Sequence, residues 1–207
     1  SPCKNWRAGV LNDFLGTYLT PAKSNFSFQL GTFQGGSATA LITQNKKTLF
    51  SNDSMMVNNA VASFLNVKDN SGTPYQAVLN MAAAAIKYDI GNAAVPTSKY
   101  VIIMIMDGMP SDDEFNHSDE NTNIANLKNA VSQVVNVAPG YITFNTVLYY
   151  PPNHVYQDAE KYLQAMADTG AGLFSEADSQ TLPFKIDDHV TVSTGVIDPN
   201  NPACQAK

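Results

Sequence analysis

The sequence contains little positive charge and no long apolar segment. Among its 207 residues, 12 Lys and Arg stand against 18 Asp and Glu, which gives a net charge of −6. The largest basic cluster is the pair Lys46-Lys47. Because nucleic-acid binding depends on Lys and Arg that neutralise phosphates, we expect no nucleic-acid partner. The longest apolar stretch, from Val101 to Met106, is far shorter than the roughly 20 residues that cross a bilayer, so the sequence predicts no membrane span.

Catalytic and zinc-binding signatures are missing as well. The sequence has no Gly-x-Ser-x-Gly elbow, no Walker loop and no dinucleotide-binding fingerprint, which are the commonest nucleophile and phosphate signals. Its three histidines, His117, His154 and His189, are far apart and lack the spacing of a zinc site. We interpret them as surface residues, and we expect no enzymatic activity.

Cysteine is scarce, and its placement is unusual. The only two cysteines, Cys3 and Cys204, lie near opposite ends of the chain. Because the termini of a domain are often close in space, a disulfide between them in an oxidising compartment is one interpretation. A pair of unrelated thiols is the other, and both stay open.

The chain does contain enough apolar material for a core. Apolar residues make up 44% of it and charged residues 14%, which is typical of a domain that folds by burial. The first half predicts an amphipathic helix, an antiparallel hairpin that turns at Gly35-Gly36, and two more helices, the first of them capped by Asp53 or Ser54. The expected ranges are Trp6 to Leu19, Phe26 to Thr32 with Ala38 to Thr43, Met56 to Leu65, and Ala77 to Ile86.

The second half predicts strands that alternate with helices. Tyr100 to Met106 is apolar without alternation, which favours a parallel strand buried on both faces. A helix, a strand, a helix and a short strand follow, over Ile124 to Val135, Tyr141 to Tyr149, Tyr156 to Asp168 and Gly172 to Ser175. This order favours an α/β fold with a doubly wound, mostly parallel sheet, flanked by helices and carrying the hairpin at one edge. We expect this domain over residues 1–183, followed over 184–207 by a strand at His189 to Ser193 and an irregular tail.

Two residues are candidates for a site at the carboxyl end of the sheet. Asp107 directly follows the buried strand, and open α/β sheets bind ligands beyond the carboxyl ends of their strands. An ordinary solvated turn at Asp107-Gly108 is the alternative. Thr73 lies in a loop that we expect at the same rim, where a hydroxyl and a carboxylate can hold a hard cation such as Mg²⁺. For Thr73 the alternative is a simple helix N-cap.

The two candidates belong to a longer pattern. Gly72-Thr73-Pro74-Tyr75 opens an Ala-rich helix, and the apolar strand that follows ends in Asp107-Gly108-Met109-Pro110-Ser111-Asp112. With the order of elements and the segment Phe174 to Leu182, this pattern resembles the von Willebrand factor A domain, whose sheet is Rossmann-like. The resemblance implies a metal-ion-dependent adhesion site, built from an Asp-x-Ser-x-Ser motif, a threonine and an aspartate. Thr73 and Asp107 match the last two.

The resemblance also implies a function. It implies a non-enzymatic protein-recognition or adhesion module in an extracellular, cell-surface or periplasmic location. The cofactor would be Mg²⁺, with Mn²⁺ or Ca²⁺ as substitutes, and a partner protein would complete the coordination with an Asp or Glu carboxylate. A metal-free domain with a structural or assembly role is the alternative.

The sequence departs from the family at its start. The Asp-x-Ser-x-Ser motif belongs to the end of a first central strand, and here the chain opens at the helix that should follow that strand. We expect the strand to lie upstream of Ser1, because a permuted strand over Val190 to Asp198 is too polar to be buried on both faces. The cation site is therefore expected to be complete only if the missing motif is supplied.

Overall fold

The computed structural model describes residues 2–23, 25–67, 72–92, 98–150, 157–178 and 185–194. These ranges contain helices and strands in alternation, together with short 3-10 turns at Pro21–Lys23 and Asp113–Phe115. The helices are α1 (Pro2–Tyr18), α2 (Ser54–Asn66), α3 (Tyr75–Asn92), α4 (Glu120–Val135), α5 (Gln157–Thr169) and α6 (Ile186–Thr194). The strands are β1 (Gly31–Gln34), β2 (Ser37–Ala40), β3 (Thr43–Gln44), β4 (Lys47–Thr48), β5 (Tyr100–Met106), β6 (Ile142–Tyr150) and β7 (Ala171–Asp178).

A three-stranded parallel sheet with the order β5-β6-β7 forms the centre of the fold. Strand β5 pairs with β6 in register from Tyr100 opposite Ile142 to Met106 opposite Leu148. Helix α4 connects β5 to β6 and α5 connects β6 to β7, as parallel strands require. The expected α/β fold with a parallel sheet flanked by helices is confirmed at this level.

Helices cover both faces of the sheet. On one face, Met104, Met106, Phe144 and Leu148 pack against α3, α4 and α5. On the other face, residues of β5, β6 and β7 pack against Tyr18 of α1 and against α6. The apolar residues of the strands therefore point to both sides, which explains the unbroken apolar sequence of β5.

Two antiparallel hairpins complete the described fold. Strand β1 pairs with β2, and Gly35 and Gly36 make the turn with φ of 52° and 86°, as the sequence predicts. The strands themselves differ from the prediction, because β1 begins at Gly31 rather than Phe26 and β2 ends at Ala40 rather than Thr43. Strand β3 pairs with β4, a hairpin that the sequence did not predict. In the described ranges neither hairpin is hydrogen-bonded to the parallel sheet.

The strand predicted at His189 to Ser193 is wrong, because this segment lies in helix α6. The alternating sequence suggested a strand, but Ile186 and Val190, four residues apart, pack together against Val147 of β6 and Ala177 of β7. Burial of one helical face on the sheet therefore outweighed the local pattern.

Other expectations concern the whole chain. No helix in the described ranges has the length and apolar character to cross a membrane, in agreement with the sequence. Residues 195–207 lie outside the described ranges, so the irregular tail and the pairing of Cys3 with Cys204 stay predictions. The division at residue 183 stays a prediction as well.

Candidate functional site

The structure places Thr73 and Asp107 at the same end of the parallel sheet. Asp107 follows the last residue of β5 and is exposed, whereas Thr73 lies just before α3 and is partly buried. A β-carbon built on Gly108 would lie 3.9 Å from the Thr73 hydroxyl oxygen. The threonine therefore meets the loop that follows β5 at the carboxyl rim.

Backbone and side-chain hydrogen bonds join the two loops that carry these residues. The Thr73 amide donates to the Ser111 hydroxyl at 2.8 Å, and the Ser111 amide donates to the Thr73 carbonyl at 3.0 Å. We call residues 72–74 and 107–112 the rim loops. Because the two bonds are reciprocal, they fix the position of one rim loop relative to the other.

The first hairpin also reaches the rim. Gly72 has a φ of 100°, and a β-carbon there would lie 3.4 Å from the Gly35 Cα and 3.6 Å from the Ser111 hydroxyl. A side chain at position 72 would be strained by this backbone conformation and would crowd both neighbours. Gly72 therefore allows the turn of the β1–β2 hairpin to approach the rim loops.

A carboxylate from the second rim loop caps helix α3. The amide of Gln76, in the first turn of the helix, donates to Asp112 Oδ2 at 3.3 Å. The Tyr75 amide donates to the Thr73 carbonyl at 3.0 Å, whereas the Thr73 hydroxyl makes no hydrogen bond in the described part of the chain. The N-cap alternative for the Thr73 side chain is therefore wrong, and its oxygen is available to a ligand.

Tyr75, the first residue of α3, holds the turn at Asp107-Gly108 through a hydrogen bond. Its side chain is fully buried, and its hydroxyl donates to the Gly108 carbonyl at 2.9 Å. Burial raises the pKa of Tyr75 well above its usual value, and the negative charges of Asp107 and Asp112 raise it further. The hydroxyl therefore stays protonated and keeps donating, and both carboxylates are close enough to act on one buried group.

The donor atoms at the rim suit a hard cation better than zinc. Thr73 offers a neutral oxygen and Asp107 a charged one, which is the chemistry that Mg²⁺ prefers. Among the described residues no three His, Cys, Asp or Glu side chains come together as a metal site. The two side chains present are oxygen donors, so their chemistry fits a hard cation such as Mg²⁺.

Sequence reasoning missed the roles of Ser111, Asp112 and Tyr75. All three lie within the segments that carry the family resemblance, but their local sequence gives no sign of these contacts. The Asp112 cap joins residues 36 positions apart, and the Tyr75 hydrogen bond joins residues 33 apart. Only the tertiary structure brings such partners together.

Comparison with known proteins supplies no family for the chain. A scan against protein-family models gives no match, and no curated protein matches the sequence. The similarity to von Willebrand factor A domains therefore rests on the residues and the element order given above.

Proposed function

We propose that this protein is a recognition or adhesion module that binds a partner protein through a divalent cation at the rim of the sheet. The observation that carries the proposal is the position of Thr73 and Asp107 on joined rim loops. In the described part of the chain, neither the Thr73 hydroxyl nor the Asp107 carboxylate makes a hydrogen bond. This proposal includes the extracellular, cell-surface or periplasmic location that the resemblance implies.

The residues at the rim would have different parts in cation binding. Asp107 would supply negative charge and Thr73 a neutral oxygen, whereas Tyr75 and Asp112 hold the loops in place. A bound Mg²⁺ keeps coordination positions that water or an incoming carboxylate can occupy. A partner with an exposed Asp or Glu would therefore complete the coordination.

The site needs ligands beyond these two side chains. Mg²⁺ prefers six oxygens, and the family resemblance assigns others to an Asp-x-Ser-x-Ser motif upstream of Ser1. We therefore propose cation binding for the protein that carries this motif, with Mn²⁺ or Ca²⁺ as substitutes for Mg²⁺.

Calorimetric titration of Mg²⁺ into the protein extended by its natural residues upstream of Ser1 tests the proposal. Asp107→Ala should lower the affinity by about tenfold or more, since one lost ionic ligand removes at least ~1.4 kcal/mol of binding. Asp113→Ala is the matched control, because Asp113 is exposed and lies in the next turn of the same connection. Far-ultraviolet circular dichroism should be unchanged in both variants. Equal affinity of the wild-type protein and Asp107→Ala would contradict the proposal.

A metal-free structural or assembly role is the second candidate. It is favoured by the reciprocal hydrogen bonds between Thr73 and Ser111, which join the rim loops without an ion. This candidate predicts that Mg²⁺ neither binds nor raises the melting temperature, even when the upstream residues are present. The same titration therefore separates the two functions.

A further inference from the structure

The pair Asp107-Gly108 has a chemical property that no other described pair shares. The sequence contains one Asp-Gly pair and no Asn-Gly pair. In such pairs the amide nitrogen of glycine can attack the preceding side-chain carbonyl carbon, because glycine has no β-carbon to hinder the approach. The product is a five-membered succinimide ring, which water opens either to aspartate or to its isomer isoaspartate. Asp107-Gly108 is therefore the peptide unit of this chain with the least steric protection against ring closure.

Both reacting groups are without hydrogen bonds in the described part of the chain. Asp107 is exposed, and its carboxylate accepts no hydrogen bond there. The Gly108 amide donates none there either, since the ladder of β5 and β6 ends at Met106, opposite Leu148. Amides inside the ladder are held by the neighbouring strand, whereas the Gly108 amide lies beyond its end. The nitrogen and the carboxyl carbon can therefore meet without the loss of a hydrogen bond.

The turn itself does not require glycine at position 108. The φ of Gly108 lies outside the left-handed region that Gly72 of the other rim loop adopts. The nearest atom that a β-carbon on Gly108 would meet is the Thr73 hydroxyl oxygen, at the ordinary contact distance of 3.9 Å. Alanine therefore fits at position 108, and Gly108→Ala changes the reactivity of the pair without disturbing the turn.

The pair Asp53-Ser54 provides the contrast. Asp53 is exposed and precedes a small residue, as Asp107 does. Its carboxylate, however, caps α2 by accepting from the Met56 amide at 2.9 Å, and Ser54 is the first residue of that helix. Ring closure at Asp53 must first break the cap. The structure therefore protects Asp53 and leaves Asp107 unprotected.

We propose that Asp107-Gly108 is a modification site, at which the folded protein converts spontaneously to isoaspartate. The Gly108 nitrogen forms a bond to Cγ of the protonated Asp107 carboxyl group, and a carboxyl oxygen leaves as water together with the amide hydrogen. Water then adds to a ring carbonyl carbon. Breaking the bond from nitrogen to Cγ restores aspartate, whereas breaking the bond from nitrogen to the backbone carbonyl carbon of Asp107 gives isoaspartate. The lost water is regained, so the product has the mass of the original protein.

Isoaspartate at position 107 would change the rim. The backbone would run through Cβ and Cγ, which adds one methylene group between β5 and Gly108, and the remaining carboxylate would be attached directly to Cα. A ligand oxygen that the end of β5 positions would therefore be displaced. Loss of cation binding in the modified protein rests on the proposed function, whereas the modification itself does not.

Ageing of the folded 207-residue protein at physiological temperature and mildly acidic pH tests the proposal. Tryptic peptides 100–128 and 48–68 carry the two aspartates, and electron-transfer mass spectrometry distinguishes isoaspartate from aspartate of the same mass. We expect isoaspartate at position 107, preceded by a species lighter by one water. It should form at least about tenfold faster than at Asp53, because the helix cap holds the Asp53 carboxylate.

Gly108→Ala is the matched variant. It should slow the reaction at Asp107 by about tenfold or more, because the added β-carbon hinders ring closure, and it should not lower the urea midpoint. An equal rate in Gly108→Ala would overturn the proposal, and so would a rate at Asp107 no higher than at Asp53. A folded protein that forms no isoaspartate at position 107, while the same protein aged in urea does, would overturn it too. None of these measurements depends on a cation, so the proposed function can fail while this inference stands.

Discussion

The first and last strands of the parallel sheet differ in composition. Strand β7 contains Ser175, Glu176 and Asp178, and Glu176 is exposed. Strand β5 contains no polar side chain other than the Tyr100 hydroxyl. Natural sheets protect their edges with charged and polar residues, so β7 has the composition of an edge and β5 does not. For β5, position in the described sheet and composition therefore disagree, because its composition is that of an interior strand.

The pairing of β6 with β7 depends on Gly172. A substitution at this residue should have the largest effect on stability. A β-carbon at Gly172 would overlap the carbonyl group of Phe144 in β6. We expect Gly172→Ala to lower the free energy of unfolding by about 3 kcal/mol, because the obstacle is backbone and cannot move aside. Urea denaturation measures this loss.

Gly16→Ala is the control for that substitution. A β-carbon at Gly16, in α1, meets no atom within 4 Å, so alanine should be neutral or stabilise the protein by up to about 1 kcal/mol. If Gly172→Ala were as well tolerated as Gly16→Ala, the close approach of β6 and β7 would be wrong.

A buried asparagine joins all three parallel strands, and its removal should have the next largest effect. Asn145 of β6 donates to the Ile102 carbonyl of β5 at 3.1 Å and accepts from the Leu173 amide of β7 at 2.9 Å. Asn145→Ala should cost about 2 kcal/mol of unfolding free energy, because the partly buried Ile102 carbonyl and Leu173 amide each lose a partner. Asn129→Ala, at an exposed residue of α4, should change stability by less than about 0.5 kcal/mol. Equal urea midpoints for the two variants would contradict this account of the β5–β6–β7 contacts.

Substitutions at the rim should lower the free energy of unfolding less than substitutions within the parallel sheet. Tyr75→Phe removes one hydrogen bond to the Gly108 carbonyl and leaves the ring in place, so we expect a loss of about 1 kcal/mol. Tyr141→Phe, at a residue 45% exposed, should have no measurable effect. A loss of stability in Tyr141→Phe as large as that in Tyr75→Phe would show that the bond to Gly108 is not the cause.

The smallest effect on stability should come from protonation of His189, which lies beside Ser175 of β7. His189 was expected at the surface but is 1% exposed, and its Nε2 lies 3.2 Å from the Ser175 hydroxyl. Burial lowers the pKa of His189, and the nearby Asp188 opposes this shift. The unfolded chain therefore binds the proton more readily, so this contribution to stability is present above the ordinary histidine pKa of about 6.5 and is lost as the pH falls below it.

Urea midpoints at pH 7.5 and 5.5 measure that dependence. The wild-type midpoint should fall between these values more than the midpoint of His189→Gln falls. His117→Gln, at an exposed residue, should behave as the wild-type protein does. A steeper pH dependence in His189→Gln than in the wild-type protein would contradict the assignment.

The sequence predicts the parts of this fold that depend on local patterns. The boundaries of β5 are confirmed to the residue, and Asp53 caps α2 by accepting from the Met56 amide, as one of the two named candidates. Local patterns failed where distant residues decide the structure. Helix α6 follows burial on the sheet, and the Asp112 cap depends on a contact across 36 positions. The meeting of Thr73 with the loop after β5 was predictable because strand ends in parallel sheets share one rim.

Site-specific titration with Mg²⁺ tests the central proposal most directly, namely that the rim loops at the carboxyl end of the parallel sheet bind a cation. Two-dimensional amide NMR spectra of the protein extended upstream of Ser1 would be recorded as Mg²⁺ is added. We predict saturable shifts at Thr73, Gly108 and Ser111, with no shifts along β7, and the loss of these shifts in Asp107→Ala. Shifts that are absent at the rim, or that persist unchanged in Asp107→Ala, would contradict the account.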